Sequence, residues 1–346
     1  HCMPLFKFNC IFFILLAVVT LLAHFHIERF QSTGAELLTT SWSTRTSGKS
    51  QIDISKDFIR ISSNDPKMVT SAFQYLQQVP YGQLAMFSAE IKSHNVIKGA
   101  HPWNTARIAI TQKIDGIHDQ YLPLAIQSVI GTNEWKTYQE HFYIPPDAKI
   151  VRFSVELHHA TGSLEIRNWR LYPVIQLTLY SWSRDIILYA WGGFFMILIG
   201  SCFYTQQKKI LLRFLLISFF AAIVIGVSLP GDIKTFIFEN IDIQIDNANP
   251  LFSPISALPW DLSKVGHFVF FLGFGLVLRL TASNTSTWKV LTIIIMMACG
   301  TELVQIYVDG RTPLVSDVLI DTMGGTLGVF FARIAYPFNL KYWNHI

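Results

Sequence analysis

Six long apolar runs, separated by polar segments, dominate the pattern of this chain. They lie near Phe8–Phe25, Ile186–Tyr204, Ile210–Leu229, Val265–Leu280, Trp288–Tyr307 and Leu314–Ala335. Most of them approach the ~20 residues that a helix needs to cross the hydrocarbon core of a bilayer. The pattern therefore predicts six transmembrane helices, numbered below as spans one to six.

The long polar segment between the first two runs has a different period. ARIAITQKI, QYLPLAIQSVI, KTYQEHFYIP, KIVRFSVELHH and GSLEIRNWRLYPV are short runs of alternating or β-branched residues. IDG, GTNEW, PPDA and ATG separate them as turn signals, and Ser41–Asp53 is predicted to be an irregular lead-in or a first strand. This spacing favours a two-sheet, jelly-roll-like β-sandwich.

The fold class that follows is an α-helical membrane bundle with an inserted all-β sandwich. The first run could be a signal peptide, but it lacks a clear cleavage site, so an uncleaved anchor is favoured. The predicted domains are an anchor at 1–27, the sandwich at 28–175, spans two and three at 176–230, a loop at 231–263 and spans four to six at 264–346.

Composition supports a membrane protein and narrows its chemistry. The chain is 51% hydrophobic and 14% charged, whereas soluble domains are about 25% charged. The net charge of +4 is small and gives no reason to propose nucleic-acid binding. The four cysteines lie outside the sandwich and form no CxxC or Cys/His cluster, so the sequence predicts neither a metal nor a cofactor.

The charges in the loops predict the orientation of the spans. Basic residues occupy the loops and tail on one side, namely Lys208, Lys209, Arg213, Arg279, Lys289, Arg333 and Lys341. The loop between spans three and four is acidic, with Asp232, Glu239, Asp242, Asp246 and Asp261 against Lys234. The positive-inside rule then places both termini in the cytoplasm and the sandwich outside.

Polar residues cluster at the predicted outer ends of spans four to six. They form three same-face pairs and one turn residue: Lys264 with His267, Glu302 with Gln305, Asp317 with Asp321, and Arg311. Beyond Asp321 the same face continues to Gly324 and Gly328, whose small-xxx-small spacing lets another helix approach closely.

Two interpretations of this polar cluster stay open. In the first, Arg311 pairs with Asp317 or Glu302 and simply closes the bundle. Alternatively, Arg311, Lys264 and His267 bind a charged lipid head group while the carboxylates orient it, because the arginine fork suits phosphate and carboxylate.

KVGHF, ELVQIYVDGR and SDVLIDTMGGTLG resemble the VanZ-like family of bacterial membrane proteins, over about Asp261–Arg333. The order and spacing of Lys–x–x–His–Phe, Glu–x–x–Gln, the turn Arg and the glycine-rich helix carry the resemblance. Ser263 stands where the family often has an acidic residue, with Asp261 two positions earlier, and Asp321 stands where the family usually has Asn. The founding member is associated with teicoplanin-type glycopeptide resistance, so the resemblance implies a site rather than a reaction.

The polar segment resembles jelly-roll carbohydrate-binding modules over about Tyr81–Pro173. FSAEIKS, WNTARIAI, GTNEWKTYQEHFYIPP and RFSVELHHATGSLEIRNWRLYP carry the resemblance. It implies that Trp103, Trp135 or Trp169 stack on sugar rings of a polysaccharide. The alternative is that these tryptophans fill the core, and that the domain is a spacer or a protein-contact module.

The favoured function is a non-enzymatic protein of the bacterial cytoplasmic membrane that binds a membrane lipid or lipid-linked glycan precursor at the cluster. A second hypothesis is an outer-leaflet enzyme acting on a lipid phosphate or glycolipid, with His267 as acid/base and Glu302 or Asp317 as its partner. No catalytic residue is otherwise assigned. A transporter is disfavoured because no inverted repeat is evident, and a structural or accessory subunit is the remaining alternative.

Overall fold

The computed structural model describes residues 2–46, 50–101, 103–114, 121–204, 210–229 and 262–339. The acidic loop residues Asp232, Glu239, Asp242, Asp246 and Asp261, with Lys234, lie outside the described residues, as do Lys208, Lys209 and Lys341. The chain divides into a helical unit, His1–Glu28 with Thr178–Ile346, and a β unit, Arg29–Leu177.

The described part of the helical unit contains six long helices. They are α1 (Cys2–His26), α2 (Thr178–Tyr204), α3 (Ile210–Ser228), α4 (Leu262–Thr281), α5 (Thr287–Gln305) and α6 (Val315–Asn339). Each is long and apolar enough to cross a membrane, with mean hydropathies between 1.3 and 2.7. This confirms the prediction of six spans and a multi-pass membrane protein.

Span two begins eight residues earlier than predicted. α2 starts at Thr178 rather than at Ile186, because Ser181, Ser183, Arg184 and Asp185 continue the helix although they break the apolar run. Arg184 Nη2 lies 2.9 Å from Asp185 Oδ1, so the two charges compensate each other at this polar end.

Buried hydrogen bonds tie α1 to the rest of the bundle. Trp191 Nε1 on α2 donates to Thr20 Oγ1 at 2.9 Å, and the Tyr307 hydroxyl donates to the Thr20 carbonyl at 3.0 Å. Buried polar groups are costly when unpaired, so these bonds stabilise the packing of α1 within the helical unit.

The β unit contains eleven described strands in two antiparallel sheets. They are β1 (Phe30–Ser32), β2 (Ser43–Arg45), β3 (Gln51–Ser55), β4 (Phe58–Ser63), β5 (Val69–Tyr75), β6 (Gln83–Ile97), β7 (Ala106–Ile114), β8 (Tyr121–Val129), β9 (Gly131–Ile144), β10 (Ala148–His158) and β11 (Thr161–Gln176). One sheet runs β3-β4-β11-β6-β9 with β1 also paired to β11, and the other runs β2-β5-β10-β7-β8.

A single apolar core lies between the two sheets. Alternating strand residues turn inward, among them Phe87, Phe153, Ile59, Ile110 and Ile166, all at most 1% exposed. Because successive side chains of a strand point to opposite faces, the alternation seen in the sequence builds this core. The predicted all-β sandwich is confirmed.

The stretch GTNEW is not a turn. Gly131–Trp135 opens β9 and pairs with β6 through register shifts near Ser93 and Val96. Gly131 adopts a φ of 74°, and Asn133 Nδ2 donates to Ser93 Oγ at 2.8 Å. Gly131 and Asn133, which are residue types common in turns, here stabilise an irregular strand pairing of the kind found at β-bulges.

Candidate functional site

The geometry of the cluster begins with a close approach of α4 and α6. A Cβ added to Gly328 would collide with the carbonyl oxygen of Leu272, and one added to Gly275 would collide with that of Gly325. Gly324 lies in the same way against the carbonyl of Phe268. Glycine allows such backbone contact between helices, so these residues hold α4 and α6 side by side.

His267 and Asp321 meet directly above this glycine contact. His267 Nδ1 lies 3.1 Å from Asp321 Oδ1 and 3.3 Å from Oδ2. Asp321 is 0% exposed and the His267 side chain is 16% exposed. A carboxylate on one ring nitrogen fixes the orientation of an imidazole and leaves the other nitrogen for a ligand or a proton.

Glu302 connects the end of α5 to the following turn. Its Oε1 accepts from Gln305 Nε2 at 2.7 Å, and its Oε2 accepts from the Leu314 backbone N–H at 2.9 Å. Glu302 and Gln305 are 5% and 4% exposed. The carboxylate is therefore buried and held in place by two donors.

Among the described residues, Arg311 forms no ion pair with Glu302 or Asp317, which the sequence suggested as its partners. Its Nε donates to the Leu229 carbonyl at 3.0 Å and its Nη2 to the Gly226 carbonyl at 2.6 Å. These bonds satisfy carbonyls at the C-terminal end of α3, which a helix leaves without partners. Burial lowers the pKa of the Arg311 guanidinium, and the charge of Glu302 acts in the opposite direction.

Lys264 and Asp317 border the cluster without joining its hydrogen bonds. Asp317 is half-buried and accepts from Ser316 Oγ at 3.2 Å. Lys264 is half-buried one turn before His267. Among the described residues, no ion pair engages the Lys264 ammonium.

Three side chains thus converge from three helices. His267, Glu302 and Asp321 each offer one ligand atom, and these atoms lie within 4.8 Å of one another. The sequence predicted no metal site, because the sequence signals of such a site are closely spaced Cys and His residues. The group formed by His267, Glu302 and Asp321 is instead brought together by helix packing. The face of each helix was readable in the sequence; the partner of each side chain was not.

The β unit places its three candidate tryptophans differently. Trp103 is 57% exposed, and its ring stacks on His101 at a centroid distance of 4.6 Å. Trp135 is half-buried beneath the Arg167 guanidinium, whose Cζ lies 4.1 Å from the ring centroid. Trp169 packs against the core and against Trp42.

A buried ion pair in the same unit had no signal in the sequence. Arg107 Nε on β7 lies 2.5 Å from Glu156 Oε1 on β10, and both side chains are less than 10% exposed. His158 accompanies the pair, with its Nδ1 3.3 Å from Asn104 Oδ1. Burial and the charge of Arg107 lower the pKa of His158.

Comparison with protein families places the cluster in the matched part of the chain. Residues 214–336 match the model of the VanZ/LLP1 family. This range contains α4, α5, all but the last three residues of α6, and every residue of the cluster. It confirms the resemblance inferred from KVGHF and its companion motifs. No curated protein matches the sequence.

Solved structures similar to the chain include several carbohydrate-binding modules. A CBM4 module is 18% identical over 38% of this chain and 86% of its own, with a TM-score of 0.29. The CBM22-1 xylan-binding domain of Xyn10C from Paenibacillus barcinonensis is 10% identical over 41% and 97%, also at 0.29. CBM29_1 from Piromyces equi is 9% identical over 42% and 89%, at 0.28.

Proposed function

We propose that this multi-pass envelope protein binds the phosphate-bearing head group of a lipid or lipid-linked component at the outer ends of α4, α5 and α6. The observation that supports this most is the convergence of His267, Glu302 and Asp321 within 4.8 Å. Ionisable side chains within spans are costly and rarely kept without a role. The charge asymmetry of the loops supports an outer-leaflet location, with both termini in the cytoplasm.

The residues around the convergence suit a bound anion. Lys264 lies on the same face as His267, three positions earlier, and has no ion-pair partner among the described residues. An ammonium acts as a point charge for phosphate. Arg311 supports the site from a distance by holding the end of α3, which differs from the direct contact that the sequence suggested.

A binding measurement tests this proposal. Full-length protein in nanodiscs containing phosphatidylglycerol or, separately, phosphatidylcholine should retain the anionic lipid through detergent exchange, as detected by native mass spectrometry. His267→Gln and Lys264→Gln should weaken retention, whereas His24→Gln, an exposed position on α1, should not. Equal retention of both lipids by all variants would count against a head-group site.

Catalysis is the second candidate, and the His267–Asp321 contact favours it. An imidazole oriented by a buried carboxylate is a suitable general base or acid, and here the orienting partner is Asp321 rather than Glu302 or Asp317. Phosphorus NMR of the same nanodiscs separates the two functions. New phosphorus species that disappear in His267→Gln indicate turnover, whereas retention without new species indicates binding alone.

For the β unit we propose an aromatic contact with an extracellular glycan through Trp103, since its exposed ring has the surface that sugar stacking needs. Affinity electrophoresis against immobilised polysaccharides tests this. Trp103→Ala should remove any retardation, and Trp182→Ala, an exposed tryptophan of the helical unit, is the matched control. Retardation unaffected by Trp103→Ala would reject this role.

A further inference from the structure

We propose that His267, Glu302 and Asp321 form a binding site for one divalent transition-metal ion, of the Zn²⁺ or Mn²⁺ type. The inference deepens the proposed function and rests on it for the role of the ion. The ion itself is tested without any lipid.

The donor set and its dimensions fit such an ion. One imidazole nitrogen and two carboxylate oxygens lie within 4.8 Å of one another. Ligands at about 2.0–2.2 Å from a shared tetrahedral ion are about 3.3–3.6 Å apart, so side-chain movements of about an ångström would close the site. Three protein ligands with an open position are the arrangement of catalytic zinc sites.

The supporting contacts are also those of a metal site. Gln305 Nε2 and the Leu314 N–H hold the two oxygens of Glu302 at 2.7 and 2.9 Å. A carboxylate has about four lone-pair sites, so both oxygens keep capacity for an ion. Hydrogen bonds that orient the ligands in this way are typical of the outer shell of metal sites.

The charge balance of the cluster points in the same direction. Glu302 and Asp321 are both almost fully buried within membrane spans, where an uncompensated carboxylate is costly. The Arg311 donors are directed to the carbonyls of α3, and Lys264 has no ion pair among the described residues. A divalent cation between the two carboxylates and His267 would supply the missing positive charge, and its open position would face a phosphate.

The metal content of the purified full-length protein tests the site. After treatment with a chelator and its removal, the protein is titrated with Zn²⁺ and Mn²⁺ by calorimetry, in detergent and without added lipid. We expect about one ion per chain, and a loss of affinity of about tenfold or more in Asp321→Asn and Glu302→Gln. Asp185→Asn, at an exposed carboxylate on α2 outside the polar cluster, is the control and should bind as the wild type does.

Asp321→Asn keeps an oxygen acceptor for His267 and little changes the volume, so it remains informative if Glu302→Gln does not fold. The inference is overturned if the wild type takes up no more of either ion than Asp321→Asn, or if Asp185→Asn loses as much affinity as Asp321→Asn. Metal uptake without lipid retention would reject the proposed lipid binding but support the metal site. Lipid retention without metal uptake would reject the metal site but support the proposed lipid binding.

Discussion

The two units of this protein each bury charged side chains, but they do so in opposite ways. In the β unit, Arg107 and Glu156 form a complete ion pair between neighbouring strands. In the helical unit, the buried carboxylates of Glu302 and Asp321 face a histidine and backbone or amide donors, while the nearby arginine is engaged with carbonyls. A pair that neutralises itself needs no counter-ion, whereas a group with excess negative charge has capacity for a cation.

The two units also differ in the contacts that hold their strands or helices together. The sandwich is held by strand pairing and a continuous apolar core. The site helices α4 and α6 are held by backbone contact at Gly275, Gly324 and Gly328. We therefore expect the glycine contacts, rather than the polar cluster, to hold these helices together.

The largest effect is expected from breaking the β-unit pair. Arg107→Ala leaves Glu156 buried without its partner, which costs about 3–5 kcal/mol. Urea-dependent pulse proteolysis of the full-length protein, read from cleavage within residues 29–177, measures the loss. The double replacement Arg107→Met with Glu156→Leu should restore most of the stability, because an apolar pair often substitutes well for a buried ion pair. An unchanged midpoint in Arg107→Ala would contradict a stabilising role for the pair.

A smaller but clear loss is expected at the helix contact. Gly328→Ala places a methyl group against the Leu272 carbonyl, and overpacking of this kind costs about 1–3 kcal/mol. The loss of stability is measured by heating the protein and recording how much of the monodisperse peak remains in size-exclusion chromatography. Gly193→Ala is the control, because a Cβ there meets no atom within 4 Å. If both variants behave alike, close packing does not hold the site helices.

A still smaller effect concerns His158, beside the ion pair. Its lowered pKa means that the folded β unit favours the neutral ring. The unfolded chain therefore binds the proton more readily, so this contribution to stability is present above about pH 6.5 and is lost as the pH falls towards the folded pKa. The urea midpoint of the β unit should drop between pH 7.5 and 5.5, and by less in His158→Gln. If the urea midpoint falls equally in the wild type and in His158→Gln, groups other than His158 cause the acid sensitivity.

Some of these features were readable in the sequence and others were not. Apolar runs and strand alternation predicted the six helices and the sandwich, because lipid and a two-sheet core impose periods on the chain. The helix faces that carry His267, Glu302 and Asp321 also followed from spacing. The pairing of His267 with Asp321, and the diversion of Arg311 to Gly226 and Leu229, depend on distances between helices, which no local pattern encodes. Arg107 and Glu156, 49 positions apart, were hidden for the same reason.

The central claim is that the group formed by His267, Glu302 and Asp321 serves a ligand rather than the fold. The thermal stability of Asp321→Asn in detergent, after chelation and without added lipid, tests it most directly, with Gly328→Ala as the reference for structural damage. The account predicts a midpoint equal to or above that of the wild type, because removing a buried negative charge relieves a strained functional site. A drop as large as that of Gly328→Ala would contradict it and would make the His267–Asp321 contact a structural bond.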